Sequence, residues 1–134
     1  MAIYPATLVH GLDDARAALA AGMPMGIPVT LLSAPGAGLY AGCGWWRALI
    51  LAARATCPET PCLDILDCAD GTGQAMAALR IGVCRLVLWP DAPGRDAVVA
   101  IAEGMGGFVL TEAPFARHSV TRRSLNPAAA KAVR

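Results

Sequence analysis

The side chains suited to chemistry are few, and most of them follow short apolar runs. His10 comes after IYPATLV, Ser33 after PVTLL, Asp67 and Asp70 close CLDILDCAD, Asp91 follows RLVLWP and Glu112 follows FVLT. His10, Ser33 and Asp67 are the residue types of a hydrolytic triad, but nothing like a G-x-S-x-G elbow surrounds Ser33. The segment Ser33–Gly44, SAPGAGLYAGCG, sets glycines at 36, 38, 42 and 44 just ahead of a helical pattern. Glycine lets backbone N–H groups approach an anion, and a helix N-terminus adds roughly half a positive charge. A small phosphorylated ligand at Ser33, Gly36 and Gly38 is therefore an expectation. The spacing is G-x-G-x3-G and not the dinucleotide fingerprint, and the chain's only lysine, Lys131, cannot supply a Walker motif. In DCADGTG, Asp70-Gly71 is a turn signal and Thr72 a helix cap. That leaves Asp67 as the carboxylate free to meet a ligand hydroxyl. The candidate ligand-binding residues are thus His10, Ser33, Gly36, Gly38, Asp67, Asp70, Thr72 and Asp91.

What must position these residues is an alternation of strands and helices. Ile3–Val9, Pro28–Ala34, Cys62–Ala69, Arg85–Pro90 and Phe108–Glu112 read as five strands. Between them lie helical patterns at Asp13–Gly22, Leu39–Cys57, Thr72–Arg80 and Arg95–Met105, most closed by glycine or proline. Asp13 is placed to cap the first. Such alternation predicts an α/β fold: a three-layer αβα sandwich around a mostly parallel five-stranded sheet. A flavodoxin-like 2-1-3-4-5 order and a Rossmann-like 3-2-1-4-5 order both fit, with a half-barrel completed by a second subunit as the outsider. In an open parallel sheet the ligand crevice lies outside the carboxyl ends of the strands, which is where the polar residues above fall. An internal echo accompanies the pattern: ARAAL at 15–19 matches AMAAL at 75–79, and each is followed by a strand and then by APG, at 34–36 and 92–94.

The helix over Leu39–Cys57 is apolar around more of its circumference than a surface helix of a small domain needs. Leu39, Cys43, Trp46, Ile50, Ala53 and Cys57 form one stripe, and Trp45, Leu49 and Ala52 form another beside it. Tryptophan, tyrosine and arginine are enriched at interface hot spots. Tyr40, Trp45, Trp46 and Leu49 are therefore the expected interface of a homo-oligomer.

Composition excludes several classes. With 134 residues, 56% of them apolar and 16% charged, the chain can bury one domain's core and is not disordered by composition. Net charge is +1, so no overall field points to nucleic acid or a membrane surface. Residues 116–134 carry Arg117, Arg122, Arg123, Lys131 and Arg134 without an acid. The expected organisation is one α/β domain over 1–114 and a basic tail over 115–134, in which His118 is solvated. The tail has no interleaved aromatics, which disfavours nucleic acid. Cys43, Cys57, Cys62, Cys68 and Cys84 contain no CxxC pair, so they read as reduced thiols and not as a metal site. The N-terminus has no signal-peptide pattern and no run is long enough to span a bilayer, which predicts a soluble cytoplasmic protein. No motif requires a cofactor.

The stretch DCADGTGQAMAALRIGVCRLVLWPDAPGRDAVVAIAEGMGGFVL resembles small bacterial α/β proteins of uncharacterised activity, in which an alanine-rich "AALR-G" helix, a strand and an "IA…G" helix recur. The resemblance covers about residues 62–112 and implies the fold without implying an activity. The expected function is an oligomeric α/β module that binds a small ligand at the strand ends. The alternative is a small enzyme acting on a phosphorylated or acidic metabolite.

Overall fold

A computed structural model describes residues 6–118. Ile3–Pro5 and most of the basic tail lie outside the described residues. The elements follow in the order β1 (Ala6–Val9), α1 (Leu12–Gly22), β2 (Val29–Ser33), α2 (Ala37–Tyr40), α3 (Cys43–Thr56), β3 (Cys62–Asp67), α4 (Thr72–Arg80), β4 (Arg85–Val87), α5 (Arg95–Gly104), β5 (Phe108–Leu110) and β6 (Ala116–His118). The α/β class holds. Among the described residues no helix is long and apolar enough to cross a membrane.

The sheet has six strands, not five, all parallel, in the order β5-β4-β3-β2-β1-β6. This is neither the flavodoxin-like nor the Rossmann-like order. The sixth strand, Ala116–His118, lies where the tail was expected to begin and pairs with β1. From β1 to β5 each strand lies beside its successor, always stepping the same way. Right-handed crossovers then carry every helix to one face of the sheet. The packing agrees. Val9, Leu31, Leu66 and Leu86 from alternate strand positions share a core with Leu19, Trp46, Ile50, Leu79 and Val98 from the helices. The opposite strand positions, Ala6, Leu32, Ile65 and Val87, form a second cluster with Leu8, Phe108, Leu110 and Ala116, built from strand residues alone. Among the described residues the third layer of the expected sandwich is absent.

The sheet must also curl. Five strand spacings of about 4.8 Å would separate β5 from β6 by roughly 24 Å in a flat sheet. The chain from Leu110 to Ala116 spans at most about 21 Å when fully extended. It must also return toward the strands' starting edge, because β6 runs parallel to β1. A flat sheet cannot be bridged this way, so the sheet rolls toward its helix-free face, which becomes the concave inner face.

Two departures from the sequence pattern have local causes. The helix expected over Leu39–Cys57 is two helices, because Gly42 between them adopts φ +89°, which a helix cannot continue. Helix α1 begins at Leu12 with Gly11 as its cap and no side-chain capping bond, and Asp14 instead accepts the His10 N–H at 2.8 Å. The repeated APG has a structural counterpart. Gly36 and Gly94 both take the left-handed conformation and both cap a following helix.

Candidate functional site

The C-terminal edge of the sheet gathers most of the candidate residues and sorts them by face. Ser33 ends β2 and is fully buried. Its hydroxyl accepts the Asp67 N–H at 2.9 Å and donates to the Ala34 carbonyl at 3.2 Å. Both of its roles are thus taken up by backbone, tying the end of β2 to the end of β3. It is not held by His10, so no triad is assembled.

Asp67 ends β3 and is 4% exposed. Its carboxylate accepts the Ala69 N–H at 2.9 Å and also the Gly36 amide. Burial pushes the carboxyl above its ordinary value of 3.8, against the opposing pull of those two amides. The glycine-rich segment therefore turns the Gly36 amide toward the chain's own Asp67 carboxyl group. Gly38 has a different reason to be glycine. A Cβ there would sit 2.8 Å from Cys68 Sγ and 3.1 Å from the Asp67 carbonyl oxygen, so its role is close approach of α2 to β3. Cys68 itself is buried, and its thiol is pushed up to about 12 chiefly by desolvation. It is an inert core sulfur.

Past Asp67 the chain makes an unusual turn. Ala69 has φ +50°, the only positive φ of a non-glycine among the described residues. Such a conformation costs about 1–2 kcal/mol in an L-residue. Its N–H goes to Asp67 and its carbonyl accepts the Trp89 N–H at 2.8 Å. One strained residue thereby links the ends of β3 and β4. Asp70 and Asp91 are exposed on the turns beyond. Thr72 is not the cap. Gly71 caps α4, and the Thr72 hydroxyl donates to the Pro93 carbonyl at 2.5 Å, joining the loops after β3 and β4.

Alternation along the strands then separates two sets. Val9, Leu66, Cys68, Leu86 and Leu88 belong to the helix-side core. His10, Asp67 and Trp89 are therefore on the inner face, together with His118, which is in step with Ala116. Four strands contribute one residue each to the rim of the concave face. His10 and His118 meet there, with stacked rings whose centres are 6.1 Å apart at an interplanar angle of 12°. Trp89 is 46% exposed and Asp67 buried. Of this set, sequence reading found His10 and Asp67. It left Trp89 inside a strand, and it had His118 solvated, which the structure bears out, but in a tail and not on a sixth strand beside His10, because neither the curl nor that strand is a local signal.

The opposite edge is structural in character. Asp64 bonds Arg54 at 3.1 Å and Arg85 at 3.5 Å, and Arg54 also donates to the Cys62 carbonyl at 2.9 Å, fastening α3 to β3 and β4. Burial raises the nearby Cys62 thiol. Of the expected interface residues, Trp46 and Leu49 are buried in the chain's own core and are not free to meet a partner. Tyr40 and Trp45 are exposed, and Leu39 and Leu51 with them.

Fold and rim together define a small α/β protein with a singly wound, six-stranded parallel sheet that carries its helices on one face and sets His10, Asp67, Trp89 and His118 at the C-terminal ends of its strands. No protein-family model matches the chain, and no curated protein shows significant sequence similarity to it.

Proposed function

We propose that the chain is a small-ligand-binding α/β module, self-associating through the outer side of α2 and α3, whose ligand seats on the inner face at the mouth of the curled sheet. The observation that supports this best is the in-phase set His10, Asp67, Trp89 and His118, with Ala69 strained between two of its members. An aromatic face flanked by imidazoles and a carboxylate suits a flat ligand bearing N–H or O–H groups. A phosphate suits it less, since Gly36 is committed to Asp67. The hydroxyl of Ser33 is fully engaged with backbone, which favours binding over nucleophilic catalysis. The same reading keeps the protein in a reducing cytoplasm with free thiols.

A thermal-shift screen against nucleobases, nucleosides, nucleotides, sugar phosphates and flavins tests the proposal, with tryptophan fluorescence, compared between wild type and Trp89→Ala, as a second readout. A ligand at 100 times its Kd adds about 2.7 kcal/mol. A planar compound should raise the melting point and quench tryptophan emission in the wild type, and do neither in Trp89→Ala. A hit that survives Trp89→Ala and His10→Ala would place the ligand elsewhere and overturn the reading.

A further inference from the structure

Helix α3 packs between α1 and α4 in the single helix layer and turns Trp46, Leu49, Ile50 and Ala53 into the core. At 3.6 residues per turn, the positions opposite that buried side are Gly44, Ala48, Leu51 and Ala55. All four are exposed, Leu51 by 57%. The outermost face of a surface helix is ordinarily polar, yet no polar side chain stands on this line. Gly44 carries a separate signal. Its backbone is not left-handed, and a Cβ at this position would meet nothing among the described residues. Neither conformation nor packing within the chain therefore calls for glycine there, although glycine is a poor helix former. A residue of that kind fits a helix that another backbone approaches closely.

We propose that a second copy of this chain docks on this line, α3 against α3, antiparallel about a two-fold axis. The pairing rests on the self-association proposed above and adds its register. Steps of four, three and four residues from Gly44 to Ala55 are those of a packed helix seam, and they read the same in either direction. An antiparallel mate centred between Leu49 and Ile50 therefore sets Leu51 against the partner's Ala48, and Gly44 against the partner's Ala55. Each large side chain meets a small one, and the helix axes can approach to about 8 Å. Leu39, Tyr40 and Trp45 are also exposed on α2 and α3. Scaled by their exposed fractions, they and the seam present roughly 600 Å² per chain, so two copies bury about 1,200 Å², where specific interfaces begin. Helix α3 holds no acid, and the two-fold brings Arg47 of both copies to the same flank, a repulsion that salt screens. Because α3 starts at the C-terminal edge of the sheet, the axis sends the two candidate ligand edges to opposite ends of the dimer.

Sedimentation of the full-length chain over a concentration series, with thermal unfolding of each variant, tests the seam. The wild type should form a dimer that tightens as NaCl is added. Gly44→Leu and Ala48→Leu place a larger apolar side chain at an exposed position. Neither should lower the melting temperature of the dilute protein, and leucine should raise it at 44 as the better helix former. Both should weaken the dimer at least about ten-fold, because the methyl-sized gaps that admit the partner are filled. Leu51→Glu should leave a folded monomer. A dimer that tightens in both leucine variants would be a loose apolar contact and would overturn the close-packed seam. A dimer unchanged by Gly44→Leu and Leu51→Glu but lost in Tyr40→Glu would keep self-association through α2 and overturn the α3 pairing alone. A wild type that stays monomeric at every concentration would overturn both.

Discussion

Replacing Gly38 with alanine separates two explanations of the glycine-rich segment. If the glycine exists for close packing, the added methyl must enter a space that is already filled. Its carbon would lie 2.8 Å from Cys68 Sγ, 3.1 Å from the Asp67 carbonyl oxygen and 3.2 Å from Cys68 Cα. Two of these three neighbours are backbone and cannot rotate away. Overpacking of this kind costs about 1–3 kcal/mol. The better helix propensity of alanine offsets up to about 1 kcal/mol, less in a helix as short as α2. A net loss of about 1–2 kcal/mol should lower the melting temperature by roughly 4–8 °C in a chain of this size. Urea denaturation of Gly38→Ala, Cys68→Ala and the double variant completes a double-mutant cycle. Cys68→Ala alone leaves a small cavity and costs about 1–2 kcal/mol. In the double variant the sulfur contact is gone while the backbone contacts remain. The coupling should therefore be favourable by at least about 0.5 kcal/mol, with only partial rescue. A Gly38→Ala protein as stable as the wild type, or a strictly additive cycle, would refute the packing explanation. The glycine would then be explained by ligand access.

Asp67 and the helix face offer two further tests. Because burial raises the Asp67 carboxyl above 3.8, the folded chain holds that proton more tightly than the unfolded chain does. Its contribution to stability is full below about pH 3.8 and is lost as pH rises through the folded value, so stability should fall over that window. Asp67→Asn should flatten this slope in melts between pH 3 and 7, and an identical slope would show that Asp67 is not its source. Trp46→Ala should cost about 3–5 kcal/mol because its ring fills the core. Tyr40→Glu, at an exposed site, should change stability by no more than about 0.5 kcal/mol while reducing the mass measured by light scattering. A monomeric wild type, or an unchanged mass, would contradict self-association through α2 and α3.

The elements were legible in the sequence wherever an apolar run or a helical period was strong. Thr72–Arg80 falls where the pattern places it, and the five strands read from apolar runs are all present within a few residues. What was not legible depends on which segments become neighbours in space. ARH at 116–118 carries no apolar run, and it is a strand only because β1 offers an unpaired edge. Strand order has the same origin, and with it the loss of one helix layer and the curl. At the mouth, Asp67 stood out as a carboxylate that turn chemistry did not explain. Trp89 was hidden inside RLVLWP, and no local pattern announces that Ala69 adopts φ +50°. Trp45 and Trp46 are adjacent in sequence, yet one is exposed and the other wholly buried. A helical stripe identifies an apolar face without saying how far round the core will reach.

The successive placement of β1 to β5 has a consequence for how the molecule assembles. Every pairing in the sheet but one joins strands that are consecutive in the chain, so each of these closures is local and its entropic cost small. The exception is β1 with β6, where Ala6 is matched with Ala116 across almost the whole described chain. Folding is therefore expected to advance one strand-and-helix unit at a time, with the β1–β6 seam zipping last and opening first. Amide exchange should be slowest in β2 and β3, which are flanked on both sides, and fastest along β6. The stacked histidines straddle that seam, so their contact doubles as a marker of the final folding step.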